Sequence, residues 1–397
     1  MEIQRLLRTA KPEADESFMG YILRLTELNG YKSPSWLMSS VGLNHSLSRH
    51  SCSFISESSE PLKLLAGLSG ITAPELAQLT YQLVNDYQHC SFFGVSIDRH
   101  CIRPGWPKIC PECLRENAYC HRAWECALIT VCHIHECMLL DECPNCGRPI
   151  MWSRGSVSRC SCKFDWREAP VKSVKEQELK VTRIIHYLCG LPCDEAISST
   201  LAQHNLVPKL SLQAFISAIV FMAGQLQGLS VITCTGLLPV SRRKELHTFI
   251  TQASYIFEDW PNSFYQFLRE WSTQERNTSL AGQRLKSPLY RDFGKLYLGL
   301  YTILEDEQFD FIRDAFIDYL TEEWKGGGLS PSKKKAREPH VTGRYVSKGD
   351  TRRILKIDDL NVDKLIEAGE LKTVVQSKGM KRLIFVDVQD IAKLKRS

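Results

Sequence analysis

The sequence predicts a mainly α protein carrying a tandem zinc-ribbon or zinc-finger block, an N-terminal helix-turn-helix-like domain and a C-terminal winged helix-turn-helix-like module. Three observations predict this. Apolar residues recur at helical spacing over most of residues 174–324. Residues 110–147 place eight cysteines and three histidines in thirty-eight positions, half of the chain's sixteen cysteines. Residues 344–397 combine two short helical stretches with two strand-like ones. At 397 residues, 43% hydrophobic and 24% charged, the chain has room for two or three domains with cores of their own.

In residues 1–100, Phe18, Tyr21, Ile22, Leu25 and Leu28 fall at helical spacing, with Asp15 or Ser17 as the cap and Gly30 as the stop. Helices over Pro61–Leu68 and Ala73–Leu83, joined by Ser69-Gly70-Ile71-Thr72, would make the helix-turn-helix-like pair. Any small helical bundle gives the same pattern, so DNA contact does not follow from it.

Residues 101–170 form the cysteine block. Four pairs stand out: Cys110 with Cys113, Cys132 with His135, Cys143 with Cys146, and Cys160 with Cys162. Zinc takes four thiolate or imidazole ligands in a tetrahedron, and a short gap lets both side chains of a tight turn face one ion. Taken in chain order, Cys110, Cys113, Cys132 and His135 make one structural zinc site, with 18 residues between the pairs. Cys143, Cys146, Cys160 and Cys162 make the second, with 13 between. Pro111, Pro144 and Gly147 supply turn chemistry. His133 beside Cys132 is directed away from the ion, Cys137 is the alternative to His135, and Cys101, Cys120 and Cys126 are expected to pack as small hydrophobes. Both sets are complete, so each ion would be closed to substrate. Structural zinc contributes roughly 10–16 kcal/mol in small peptides, against roughly 5–15 for a whole domain, so losing a ligand should unfold the block.

Residues 171–324 read as helices, with candidates at 211–225, 241–256, 261–272, 291–304 and 308–324. The aromatic residues of 255–272 fall at helical spacing and are expected in the core. A flexible basic linker spans 325–343, and the last module 344–397. From Lys325 onward there are 18 Lys and Arg against 9 Asp and Glu, an excess of +9 that leaves −4 for residues 1–324 of the total +5. That asymmetry suits a tail able to meet phosphate. The N-terminus lacks a signal-peptide layout and no apolar run is long enough to span a bilayer, so a cytoplasmic chain with reduced thiols and no membrane partner is expected.

"ADESFMGYILRLTELNGY", "CPECLRENAY", Trp124, "CHIH", "LL", "CPNCG" and "CSC", in that order, resemble the TniQ/TnsD family of transposon target-selection proteins. "FEDWPNSFYQFL" at 257–268 is similar to a further segment of that family, and the resemblance runs from about residue 11 to 320. It implies a non-catalytic adaptor that marks an insertion site and recruits a TnsC-like AAA+ ATPase of the transposon. Such proteins read attachment-site DNA themselves or ride on an RNA-guided, Cascade-type CRISPR effector with its guide RNA. The chain's length leans to the second kind. Homodimerisation is a further implication.

In the last module, Ser347 and Asp350 look like a capping pair, Thr351–Leu355 and Asp359–Ala368 like two helices, and 371–375 and 382–386 like strands flanking a wing. Lys378, Lys381 and Arg382 on the wing, with Lys333, Lys334, Lys335 and Arg337 in the linker, are candidate phosphate contacts. Asn361 is the candidate base reader, on a helix whose Asp359, Asp363 and Glu367 oppose DNA. That helix is as well suited to a protein partner. No nucleophile, acid–base dyad or phosphate-cradling loop stands out; Gly326-Gly327-Gly328 lacks the lysine of a nucleotide loop. The rival readings are a zinc-containing, sequence-specific transcription regulator and a DNA strand-transferase.

Overall fold

The computed structural model describes residues 5–43, 53–84, 88–228, 243–273, 288–324, 345–378 and 381–396. The chain divides into two compact units, Met1–Ile216 with Val231–Thr251, and Ser217–Ser230 with Gln252–Ser397. It is mainly helical, with three small antiparallel sheets among the described residues.

The first unit opens with the helix Phe18–Leu28, which buries Phe18, Tyr21, Ile22 and Leu25. Of the two candidate caps it is Ser17 that accepts from the Gly20 amide. Glu16, its side chain shielded from solvent, takes a two-pronged pair from Arg24, Nε to Oε1 at 2.9 Å and Nη2 to Oε2 at 2.5 Å. At the far end Asn29 donates to the Leu25 and Arg8 carbonyls and accepts from the Arg8 amide, and Gly30 follows at φ 70°. The Glu-Ser, Arg and Asn-Gly positions of the opening motif are thus framework. They start the helix, clamp it and stop it.

The helix-turn-helix expectation needs correction in its second half. The helix Glu60–Ser69 ends on Gly70 at φ 74°, and Thr72 with Glu75 closes a capping box, but the next helix covers only Ala73–Ala77 rather than reaching Leu83. The chain turns out because Tyr81 is drawn into the core, where its hydroxyl donates to Glu125 at 2.7 Å. Gln82 to Val84 then run beside the strand β1, His89–Phe92. A five-residue helix is under two turns long, too short to lie along a major groove. β1 pairs with β2, Val95–Asp98, and β3, Val131–Cys132, pairs with β4, Cys137–Met138. The helices Glu176–Leu188 and Glu195–Ala202 follow.

In the second unit the helices Asn262–Thr273, Pro288–Thr302 and Asp310–Glu322 lie close to their expected spans. Phe264, Phe293, Tyr297 and Phe316 are fully buried there, with the Phe293 and Phe316 rings edge to face at 5.1 Å. The aromatic stretch 255–272 is mostly core: Phe264 stacks under Trp260 at 5.1 Å, while Tyr255 is exposed.

Residues 345–396 build β5 (Tyr345–Ser347), the helices Lys348–Leu355 and Asp359–Glu367, β6 (Thr373–Lys378), β7 (Lys381–Asp387) and the helix Val388–Arg396, with sheet order β5-β7-β6. β5 and the last helix are additions to the sequence reading. Ser347 caps the first helix by accepting from the Asp350 amide. No helix of the described residues is long and apolar enough to cross a membrane.

Candidate metal centres

Two cysteine-rich tetrads converge in the first unit. Cys110, Cys113, Cys132 and His135 bring one ligand atom each to within 4.8 Å of one another, and so do Cys143, Cys146, Cys160 and Cys162. In the first, Cys113 Sγ lies 3.6 Å from Cys132 Sγ, and His135 Nδ1 lies 3.3, 3.5 and 3.6 Å from the sulfurs of Cys113, Cys132 and Cys110. In the second, Cys143–Cys162 and Cys146–Cys160 are 3.7 and 3.8 Å apart. Zinc at about 2.3 Å from sulfur and about 2.0 Å from nitrogen sets tetrahedron edges of about 3.8 Å for S···S and about 3.5 Å for S···N. These separations fall close to those edges, so each set could hold a metal ion of that size.

Local backbone explains the convergence. Pro111 occupies the first turn of the helix Pro111–Glu116, with Cys110 as its N-cap and Cys113 one turn on. The β3–β4 hairpin carries Cys132 and His135, and Glu136 takes φ 48° straight after His135. Gly147 after Cys146 takes φ 68° and Lys163 after Cys162 takes φ 72°. Three of the four pairs therefore close on a left-handed residue, which turns the chain back under the ion, and only Gly147 betrays this in the sequence. Amide-to-carbonyl bonds from Gly147 to Cys143 and from Lys163 to Cys160, both 2.8 Å, brace the second site.

The sulfurs disturb one another's proton affinity. Hydrogen bonds from Cys113, Cys132 and Cys137 hold the Cys110 thiol far below its ordinary value, while Cys110 and Cys132 push Cys113 far above its own. Without a cation the cluster cannot ionise fully; a dication at its centre would take each of its cysteines as thiolate and the histidine as neutral imidazole. At the second site the Arg148 guanidinium, donating from Nε at 3.5 Å, lowers Cys146 to about 6. Asn145 Nδ2 donates to Cys162 Sγ at 3.6 Å. His135 Nε2 meets Glu116 Oε1 at 3.0 Å, which leaves Nδ1 toward the sulfurs. Sequence reasoning missed Glu116, Asn145 and Arg148. All three sit one to three residues from a ligand, which is the one signal that could have found them.

Of the other cysteines, Cys137 is buried 3.6 Å from Cys110, across the hairpin from Cys132, while the tetrad takes His135. Cys120 and Cys126 are buried thiols, with burial pushing Cys120 up to about 12. Cys101 departs from expectation: it is buried but disulfide-bonded.

The candidate nucleic-acid residues are scattered. Lys333, Lys334, Lys335 and Arg337 lie outside the described residues. Lys378 pairs in register with Lys381, and Arg382 with Ser377, at the end of the β6–β7 ladder. Asn361 is exposed in the first turn of its helix, its amide donating to Asp358 at 2.7 Å. The acids of that helix are used at home: Asp363 meets Lys348 at 2.6 Å and Asp359 meets Arg352 at 3.3 Å.

Against known families, residues 7–139 match the TniQ family model. That stretch is similar to a TniQ domain. The match takes in the opening helix and the whole first tetrad and stops before Cys143, so it is shorter than the span of about 11 to 320 over which the motifs are similar. No curated protein matches the chain. A TniQ domain implies a role in transposition, in target selection or DNA binding.

Proposed function

We propose that this chain is a non-catalytic target-selection adaptor for DNA transposition. It links a targeting element, either an RNA-guided CRISPR effector or attachment-site DNA, to the transposon's AAA+ ATPase. The observation that carries this reading is the TniQ match across the first tetrad, together with the saturation of that tetrad. Zinc in the two tetrads would have four protein donors each and no open position, so it would fix the fold and supply no Lewis acid to a substrate. Cys110, Cys113, Cys132 and His135 hold the first ion, and Cys143, Cys146, Cys160 and Cys162 the second.

The C-terminal module supports a winged helix-turn-helix in which the β6–β7 hairpin, with Lys378, Lys381 and Arg382 at its end, and the basic linker meet DNA backbone. The ion pairs from Asp359 and Asp363 to the preceding helix leave the second helix suited to a protein partner rather than to base reading. The same basic hairpin is what favours the second reading, a zinc-containing regulator of its own operator.

Co-expression with the AAA+ ATPase and effector genes of the same element tests the proposal. Retention of the ATPase by the tagged chain, and weak, salt-sensitive, sequence-indifferent DNA binding in gel shifts, are the expected results. A tight complex with one DNA motif and no retained ATPase would replace the adaptor by the regulator.

A further inference from the structure

Beside the two tetrads a third group of metal-binding side chains converges within the first unit. His133 sits in the hairpin turn between Cys132 and His135. His186 is on the last turn of the helix Glu176–Leu188, and Cys193 precedes the helix Glu195–Ala202. One ligand atom from each lies within 4.8 Å of the others, and the two imidazole rings stand 3.9 Å apart, centroid to centroid. His186 and Cys193 lie beyond the TniQ match.

His186 supplies the decisive detail. Its side chain is buried, the residue being 8% exposed, and its Nδ1 is shut off from solvent with no hydrogen-bond partner. A stranded polar atom of this kind destabilises the fold unless something binds it. His133 hydrogen-bonds the Pro192 backbone. Proline has no N–H, so the ring must donate to the carbonyl, and its other nitrogen keeps a lone pair. Arg183, the nearby cation, is already paired with Glu136 at 2.9 Å and with Glu176. A cavity of about 90 Å³, lined by His133, His186, Leu191 and Pro192 among others, opens beside the group.

We propose that His133, His186 and Cys193 bind a third divalent transition-metal ion, zinc by preference, with the fourth position open to this cavity. Two imidazoles and one thiolate are borderline-soft donors that suit zinc, and three protein ligands leave room for water, unlike the closed tetrads. On binding, the Cys193 thiol gives its proton to solvent and the ion takes the thiolate. The donors stand up to about 1.5 Å wider than a loaded zinc tetrahedron requires. Cys193, half-exposed on a loop, has the freedom to close that gap. The ion would pin the hairpin of the first tetrad to the end of the Glu176–Leu188 helix, filling after the tetrads and emptying before them.

The full-length chain, purified without chelator, is titrated with Zn²⁺ and separately with Co²⁺ beside the variants Cys193→Ser and His186→Gln. The expected result is one more equivalent of metal in the wild type than in Cys193→Ser, with a thiolate-to-cobalt absorption that this variant lacks. His186→Gln should lose the same equivalent. Equal metal content in wild type and Cys193→Ser overturns the proposal, whether both hold two equivalents or both hold three. The comparison is a difference, so it stands whatever the tetrads retain, and Cys193→Ser, at a half-exposed loop position, decides it if His186→Gln does not fold.

Discussion

Glu116 Oε1 accepts from His135 Nε2 at 3.0 Å, and the helix that carries Glu116 also carries Cys113, a ligand of the same tetrad. One short helix thus delivers a sulfur to the tetrad and holds the imidazole from behind, which would leave Nδ1 free for a metal ion. The contact also raises the His135 pKa against the effect of burial. Outer carboxylates of this kind are worth about 10–100-fold in metal affinity. Glu116→Ala should therefore lose one of its zinc ions to a chromophoric chelator at least about tenfold more readily than the wild type, while Glu116→Gln, which still offers an acceptor, falls between them. Equal release from all three would show that the carboxylate does not orient the ring.

Removing a ligand is a larger insult. Cys113→Ala leaves two sulfurs and an imidazole at the first site, and Cys146→Ala leaves three sulfurs at the second. With on the order of 10 kcal/mol at stake per site, either variant should be insoluble or rapidly cut by protease in the cysteine block. Limited proteolysis with zinc quantification checks this. A soluble, protease-resistant Cys113→Ala that still holds both ions would sink the ligand assignment.

The convergence of the cysteine and histidine pairs was legible because short gaps and turn-forming Pro and Gly are local properties of sequence. So was the helical second unit, where period 3.6 marks Leu296, Tyr297 and Leu300, after the kink at Gly294, as one buried face. What escaped depends on contacts far along the chain. Nothing near Ala77 announces that its helix stops, because Tyr81 is pulled inward by Glu125, 44 residues on. His133 read as turned away from metal, correct for the first tetrad, and the residues it meets, His186 and Cys193, come from a later helix and loop. The left-handed turns at Glu136 and Lys163 carry no glycine to reveal them.

Gly155 is another such long-range constraint. Its backbone lies against the turn after the opening helix: a Cβ there would stand 2.7 Å from the Tyr31 carbonyl oxygen and 2.9 Å from that of Lys32. Both are backbone atoms and cannot swing away. The neighbouring Ser156 hydroxyl and Val157 amide also donate to Glu27, at 2.6 and 2.9 Å, so the loop has little freedom to retreat. Gly155→Ala should destabilise the first unit by about 1–3 kcal/mol, read as a lower melting temperature with the metal content unchanged. An unaltered melting temperature would mean that the loop yields.

Glu125 gives the first unit a pH dependence. Burial raises its carboxyl to about 7, beyond what the Tyr81 hydroxyl at 2.7 Å and the nearby charge of Arg122 recover. In the unfolded chain the group ionises near its ordinary value of 4.5, so between about pH 4.5 and about pH 7 the folded state holds a proton that the unfolded state has lost. Stability from this group is complete below that window, falls as pH rises through it, and levels off above. A shift of this size corresponds to roughly 3 kcal/mol. Glu125→Gln keeps an acceptor for Tyr81 and removes the ionisation, so its stability should change far less between about pH 5 and about pH 8 and exceed that of the wild type at the upper end. Denaturant unfolding of both proteins at the two pH values checks this; parallel pH profiles would show that Glu125 is ionised in the folded protein.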